Sequence, residues 1–245
     1  MKRAIAGVAL AATLVVAAAA TRPYWVAPDA GQAQAWLHDA ADRRDAGAEA
    51  SLARWCARGN APARHAYAAL LAHRADAGSR RRLEQVLADG AAAGDAAAAT
   101  QLAELLAGAG TGASRDDARI ARLLAQGSAG HVPAAARLLG LRALDATKGT
   151  PDAARAATLL GQAADAGDVP AMFLYANLLR AGQGVPRDDA RALALYQAAG
   201  DADYAPAIQA LAIAWRYGEL GLQADSSQSR LMDHEAAEAL AHAMR

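Results

Sequence analysis

The sequence contains one cysteine, Cys56, and one phenylalanine among its 245 residues. A single cysteine excludes an internal disulfide and a metal site built from several cysteines. The β-branched and aromatic residues that favour strands are scarce, whereas alanine, the strongest helix former, supplies 76 residues. The composition therefore predicts an all-α protein.

An excess of charge of one sign is also missing. The chain has 25 basic and 25 acidic residues, and only two of the basic ones are lysines. Arginines and acidic residues are interspersed, so no block of positive charge is long enough to follow a phosphate backbone. This distribution argues against nucleic acid as a partner.

The first twenty residues differ in composition from the rest. Positive charge at Lys2 and Arg3 precedes an uncharged run over residues 4–20, and small residues stand directly before Thr21. This order predicts a signal peptide over residues 1–20, cleavage before Thr21, a linker over 21–28 and a periplasmic or secreted protein. The alternative is an uncleaved membrane anchor at the inner membrane, although the run is shorter than the roughly 20 apolar residues that span a bilayer.

A repeat of about 36 residues follows. Proline- or alanine-containing triplets are centred on residues 62, 97, 133, 170 and 206, which are 35, 36, 37 and 36 residues apart. Proline suits the first turn of a helix because its φ is already fixed and its missing N–H costs no hydrogen bond there. Each triplet therefore predicts the start of a helix, termed the A helix.

A second landmark shares this period. "RDDAR" occurs at residues 115–119 and again at 187–191, with "PDAAR" midway at 151–155. Aspartate and serine are good N-caps, and we predict that four of them start a second, B helix in each repeat: Ser79, Asp116, Asp152 and Asp188. Apolar residues follow each cap at +4, +7 and +8, and small residues at +11 and +12. Glycines 94, 130 and 167 are predicted to end three of these helices.

Two landmarks with one period predict an α/α solenoid of stacked helix-turn-helix repeats. From residue 170, "PAMFLYANLLRAGQGVPRDDARALALYQAAG" resembles a unit of the Sel-one-like repeat family, which is related to tetratricopeptide repeats. The matching residues are Ala171, Gly182, Gly184, Val185, Asp188, Ala192 and Tyr196. Tyr175, Ala176, Leu179 and Leu195 depart from the usual pattern, and the next unit matches at Leu211, Ala212, Trp215 and Gly218.

The resemblance implies a right-handed superhelix of paired helices with a concave face. It covers residues 62–222 clearly within a repeat domain of 29–245, and residues 224–245 are expected to form a terminal helix that covers the last apolar face. Residues 29–60 fit two registers. Their side-chain pattern makes 29–44 a B helix, whereas the proline period makes the same segment an A helix.

The resemblance also implies that the A helices line a groove for a protein or peptide partner. Transferred by position, the groove residues are Glu104, Asn177, Arg180, Gln209 and Arg216, with His65 and Arg137 as further candidates. Arg180 and Arg216, one repeat apart, are candidates for gripping carboxylates of an acidic or C-terminal segment.

Catalytic motifs are weak, so we predict a scaffold without enzymatic activity or cofactor. The glycines at 108–112 and 182–184 follow helices, whereas a dinucleotide site needs a strand before them. One enzymatic alternative remains, a metal-dependent hydrolase, because His234, Glu238 and His242 share one helical face. A membrane-anchored assembly factor is the third hypothesis.

Overall fold

The computed structural model describes residues 26–74, 76–108 and 115–243. Within these ranges the chain forms twelve α-helices and one short 3₁₀ turn, Ala146–Lys148, and no strand. The helices are α1 (Ala30–Asp42), α2 (Ala46–Ala57), α3 (Ala61–Ala72), α4 (Ala77–Ala92), α5 (Ala96–Gly108), α6 (Arg115–Ala129), α7 (Pro133–Leu144), α8 (Ala153–Asp165), α9 (Val169–Ala181), α10 (Asp189–Gly200), α11 (Ala205–Tyr217) and α12 (Ser226–Ala243). The all-α prediction is confirmed.

The helices belong to two compact units, Met1–Asp116 and Asp117–Arg245, here called unit 1 and unit 2. Odd-numbered helices are A helices and even-numbered ones are B helices. In unit 1, α1 to α5 pack in sequence order, and in unit 2 the helices from α7 to α12 do the same. Each helix buries its apolar stripe against its neighbours in the sequence, which is the packing of an α/α solenoid.

The predicted A-helix starts are confirmed. α3, α5, α7, α9 and α11 begin at Ala61, Ala96, Pro133, Val169 and Ala205. Four of them carry proline in their first two positions. Local chemistry decides these starts, because the preset φ of proline and a preceding cap act within one turn.

The structure also settles the register of residues 29–60. α3 is an A helix, so alternation makes α2 a B helix and α1 an A helix, and α1 packs against both of them. Asp29 caps α1 by accepting a hydrogen bond from the Gln32 N–H at 2.9 Å. The proline period therefore gave the right register for this segment, and the side-chain pattern gave the wrong one.

Two of the four predicted B-helix caps are confirmed. Asp152 and Asp188 accept from backbone N–H groups three residues on, each at 2.9 Å. Ser79 is not a cap, because Asp76 lies one turn earlier and accepts from the Ser79 N–H at 2.8 Å, so α4 begins at Ala77. Asp116 is not one either, since α6 begins at Arg115. An earlier competent cap extends the helix toward its N-terminus.

The predicted apolar stripe forms the core. The residues at +4 and +8 are buried in all four B helices: Leu83, Leu87, Ile120, Leu124, Ala156, Leu160, Ala192 and Tyr196. Small residues at +11 are buried as well, and a Cβ on Gly90 would lie 2.7 Å from both Ala98 and Arg64. Helices approach closely at these positions because large side chains are missing there.

A left-handed residue ends the B helices two positions before the next A helix. Gly94 and Gly167 have φ of 87°, which confirms both predicted terminators. The third prediction, Gly130, is wrong, because His131 takes the left-handed conformation with φ of 58°. The position is fixed by its distance from the following A helix, so it falls on His131 whether or not a glycine stands there.

The last helix, α12, packs along α11 and buries Ser229, Ala236 and Ala239. Arg230, His234 and Ala237 occupy the places that Ala157, Gly161 and Ala164 take in α8, and all three are exposed. The helix thus has one buried face and one exposed face, the pattern of a terminal repeat.

Among the described residues, no helix combines the length and the apolar character needed to cross a bilayer. The predicted signal peptide or anchor over residues 1–20 lies outside the described residues, as does most of the linker over 21–28.

Candidate functional site

Three successive A helices of unit 2 present one side chain each at the same register position. This position is the ninth residue of each helix. It is Leu141 in α7, Asn177 in α9 and Ile213 in α11. Leu141 is 36% exposed and Ile213 is 42% exposed, whereas every other large apolar side chain of α7 and α9 is buried or half-buried. We call Leu141, Asn177 and Ile213 the ninth-position strip.

Asn177 is held in place by the core. The hydroxyl of Tyr196, a fully buried side chain of α10, donates to the Asn177 side-chain oxygen at 2.7 Å. Burial raises the pKa of Tyr196, so the phenol keeps the proton that it donates. The amide oxygen of Asn177 is therefore occupied, and its NH₂ group is the part left to meet a ligand.

Arg180 and Arg216 lie at the twelfth position of α9 and α11, at the end of each helix. Each already contacts a carboxylate of the chain itself. Arg180 pairs with Glu219 at 3.2 Å, and Arg216 pairs with Asp233 at 2.6 Å while donating to the Ser229 hydroxyl at 3.2 Å. Arg216 therefore connects α11 to the terminal helix α12. The two arginines bind different carboxylates of the chain and do not converge on one shared site.

Gln209 is exposed at the fifth position of α11. Three other residues at the fifth position reach the start of the next A helix. His65 contacts Asp95 at 2.8 Å and Arg137 contacts Asp168 at 3.0 Å, and both carboxylates start the following A helix. In α9 the corresponding pair is aromatic, with the Phe173 and Tyr204 rings 5.7 Å apart. His65 and Arg137 thus connect neighbouring repeats.

Glu104 is exposed at the ninth position of α5 in unit 1, the same register position as the strip of unit 2. Sequence reasoning missed Leu141 and Ile213 at this position in unit 2, along with the exposed Tyr217 at the end of α11. The signal was present, because a large apolar residue at the ninth position falls on the polar face of an A helix.

The described residues offer little for catalysis. No three histidine, cysteine or acidic side chains within 26–74, 76–108 and 115–243 are grouped to hold a metal ion. His234 pairs with Glu238 at 3.4 Å on the solvent face of α12, and His242 is exposed. Burial raises the pKa of the half-buried Cys56 thiol, which disfavours the nucleophilic thiolate.

The glycine motifs have structural roles where they are described. Gly182 and Gly184 adopt left-handed φ of 64° and 74° in the turn after α9. Most of the other motif, residues 108–112, lies outside the described residues. The turn that holds Gly182 and Gly184 is tight, and no strand precedes it as a dinucleotide site would need.

Two solved structures share this architecture. A Sel1 repeat protein from Oxalobacter formigenes superposes with a TM-score of 0.71 and 17% identity over 85% of each chain. A protective antigen with an SLR fold from uropathogenic Escherichia coli strains gives a TM-score of 0.68 and 18% identity over 86% of this chain and 46% of its own. Comparisons of the sequence with protein-family models and with curated proteins find no match. The chain therefore has the fold of Sel-one-like repeat proteins.

Proposed function

From this Sel-one-like repeat fold, we propose that the chain is an exported, non-enzymatic scaffold that binds a protein or peptide through the exposed face of its A helices. The exposure of Leu141 and Ile213 on either side of the fixed Asn177 is the observation that carries the proposal. Exposed apolar side chains in register are typical of interaction surfaces. Arg180, Gln209 and Arg216 would contribute polar contacts in unit 2, and Glu104 in unit 1.

The strip suits an extended segment. Its two ends provide apolar contacts, and the Asn177 NH₂ group can donate to a backbone carbonyl of the partner between them. Leu141 and Ile213 lie on helices two repeats apart, which pack against the intervening α8 and α10. The partner segment should therefore carry two apolar side chains with a polar backbone stretch between them.

The arginines remain available to a partner. Arg180 and Glu219 are 43% and 44% exposed, and such an exposed pair contributes only about 0–1 kcal/mol. Arg216 and Asp233 are exposed to a similar degree. An acidic residue of a partner can therefore replace the internal carboxylate at little cost.

The first prediction concerns this strip. Peptides are first selected from a random display library for binding to the full chain. They should bind a Leu141→Ser/Ile213→Ser variant at least tenfold more weakly than wild type, because the variant loses both apolar contacts. Fluorescence anisotropy of labelled peptides measures the change. A Leu231→Ser/Leu240→Ser variant is the matched control, since these leucines are 48% and 45% exposed on α12. Equal weakening by both variants, or no selected peptide at all, would reject the proposal.

The second prediction concerns export, for which the charged start, the apolar run and the small residues before Thr21 provide the support. When the gene is expressed with its own leader in a Gram-negative host, the periplasmic fraction should contain protein beginning at Thr21. N-terminal sequencing of that fraction is the measurement. Retention of residues 1–20 in the membrane fraction would instead favour an anchored assembly factor.

A further inference from the structure

Unit 1 contains a surface depression of about 390 Å³. It lies between the α1–α2 turn and the end of α3. Its lining residues are Ala40, Ala41, Arg44, Ala46, Glu49, Leu70, His73 and Arg74. The volume falls within the roughly 300–1,000 Å³ of small-molecule sites.

One charged pair in this depression has a structural role. Arg74 donates from both terminal nitrogens to Glu49 at 2.8 Å and 2.7 Å, and the hydrogen bond from Arg74 leads the causes that lower the pKa of Glu49. The same kind of pair joins Asp117 to Arg142 in unit 2 at 3.5 Å, again 25 residues apart. Both pairs connect the first turn of a B helix to the C-terminal end of the next A helix, with Arg142 in the last turn of α7 and Arg74 two residues after α3. This contact belongs to the repeat and needs no ligand to explain it.

Two other polar side chains of the depression, Arg44 and His73, are exposed. Within the described residues, the Arg44 guanidinium and the His73 ring have no hydrogen-bond or ion-pair partner. Since Glu49 and Arg74 neutralise each other, Arg44 leaves the depression with one net positive charge. Ala40, Ala46 and Leu70 give the same space an apolar wall.

The backbone conformation of Arg44 belongs to the repeat. Arg44 has φ of 53°, in the left-handed region that favours glycine. It stands two positions before α2, as Gly94, His131 and Gly167 stand two positions before the helices that follow them. At this place the chain has an arginine, and its side chain lines the depression.

A depression in unit 2 provides the contrast. It occupies the same place in the repeat and measures about 460 Å³. Arg180 and Arg187 line it, but Arg180 pairs with Glu219, and Arg187 binds both oxygens of Asp189 at 2.9 Å and 2.8 Å. Both arginines are therefore occupied. Of these two depressions, the one in unit 1 combines an unpaired guanidinium with apolar walls.

We propose that the depression in unit 1 binds a small monoanionic carboxylate with a short apolar group, such as the free carboxylate of a chain end in alanine. The planar Arg44 guanidinium matches a carboxylate with two parallel hydrogen bonds, and His73 offers a further ring nitrogen. The apolar wall accepts a methyl or ethyl group. A dianion such as phosphate is disfavoured because the depression carries only the one net positive charge of Arg44. The site is independent of the ninth-position strip in unit 2.

The test uses acetyl-Ala-Ala-Ala as the free acid and as the C-terminal amide, titrated into ¹⁵N-labelled full chain and followed by amide shifts of residues 40–49 and 70–74. The acid should bind saturably, and the amide at least tenfold more weakly. Butyrate distinguishes a free short-chain acid from a peptide end as the source of the carboxylate: binding of butyrate as tight as that of the tripeptide identifies the former. Inorganic phosphate should be at least tenfold weaker than the acid.

An Arg44→Gly variant separates binding from folding. Glycine relieves the left-handed φ, so the urea midpoint should stay the same or rise while the acid binds at least tenfold more weakly. Arg43→Ala is the matched control, since Arg43 pairs with Asp39 at 2.9 Å and does not line the depression. His131→Gly relieves the same strain elsewhere and should leave binding unchanged. Equal binding of acid and amide, no binding of either, or full binding by Arg44→Gly would overturn the proposal.

Discussion

Replacing Gly184 by alanine is expected to destabilise unit 2 by about 2–5 kcal/mol. Gly184 has φ of 74°, which a side chain tolerates poorly. More importantly, a Cβ at this residue would lie 2.0 Å from the Ala153 carbonyl oxygen and 2.2 Å from its carbonyl carbon. These are backbone atoms at the start of α8, so the clash cannot be relieved by rotating a side chain. The turn after α9 or the first turn of α8 must move.

Gly167→Ala is the matched control for this prediction. Gly167 has φ of 87°, but a Cβ there would meet no atom within 4 Å. Its replacement should cost only the left-handed strain, about 1–2 kcal/mol. Urea unfolding followed by far-UV circular dichroism measures both free energies of unfolding. Equal losses of unfolding free energy would mean that the backbone at Gly184 does not lie as close to Ala153 of α8 as described.

Replacing Asp95 by alanine is expected to cost about 3–5 kcal/mol in unit 1, because the change leaves a buried cation without its partner. Asp95 precedes α5, accepts from the Ala98 N–H at 3.1 Å and contacts the Arg64 guanidinium at 2.7 Å. The Arg64 side chain is only 7% exposed. The loss of a helix cap accounts for about 1 kcal/mol of the expected cost.

Two further variants separate the cap from the charge. Asp95→Asn keeps a capping oxygen and removes the charge, so it should cost less than Asp95→Ala. Adding Arg64→Met to Asp95→Asn should restore part of the lost stability, since a buried pair replaced by apolar side chains of similar volume is often tolerated. If the Asp95→Asn and Arg64→Met losses simply add, the two side chains are not coupled.

The stability contributed by Asp95 should depend on pH in one direction. Burial raises the pKa of this carboxyl group, but hydrogen bonds from Ala98, Arg64 and His65 outweigh burial and leave the pKa lowered. A lowered folded-state pKa means that the contribution is fully present above the unfolded value of about 3.9 and is lost as the pH falls through the folded pKa. The difference in unfolding free energy between wild type and Asp95→Asn should therefore shrink as the pH falls below about 4.

The candidate site was less predictable than the fold. Asn177 was selected from the repeat pattern, but the hydroxyl of Tyr196 that fixes its amide comes from the next helix, 19 residues later. Arg216 was selected for a partner's carboxylate, yet it contacts Asp233 of α12. Such pairings depend on which helices lie side by side and on the rotamers of long side chains. A single sequence carries almost no information about either.

The sequence by itself determined the helical content, the repeat period and the start of each A helix from Ala61 onward, because propensity, proline geometry and capping act within one turn of chain. Only the tertiary structure decided the register of α1 and α2 and the inter-repeat contacts of Asp95, Arg137 and Gly184. These features depend on contacts between residues that are far apart in the chain. A local sequence pattern recurs in every repeat, whereas each contact between neighbouring repeats depends on both of its partners.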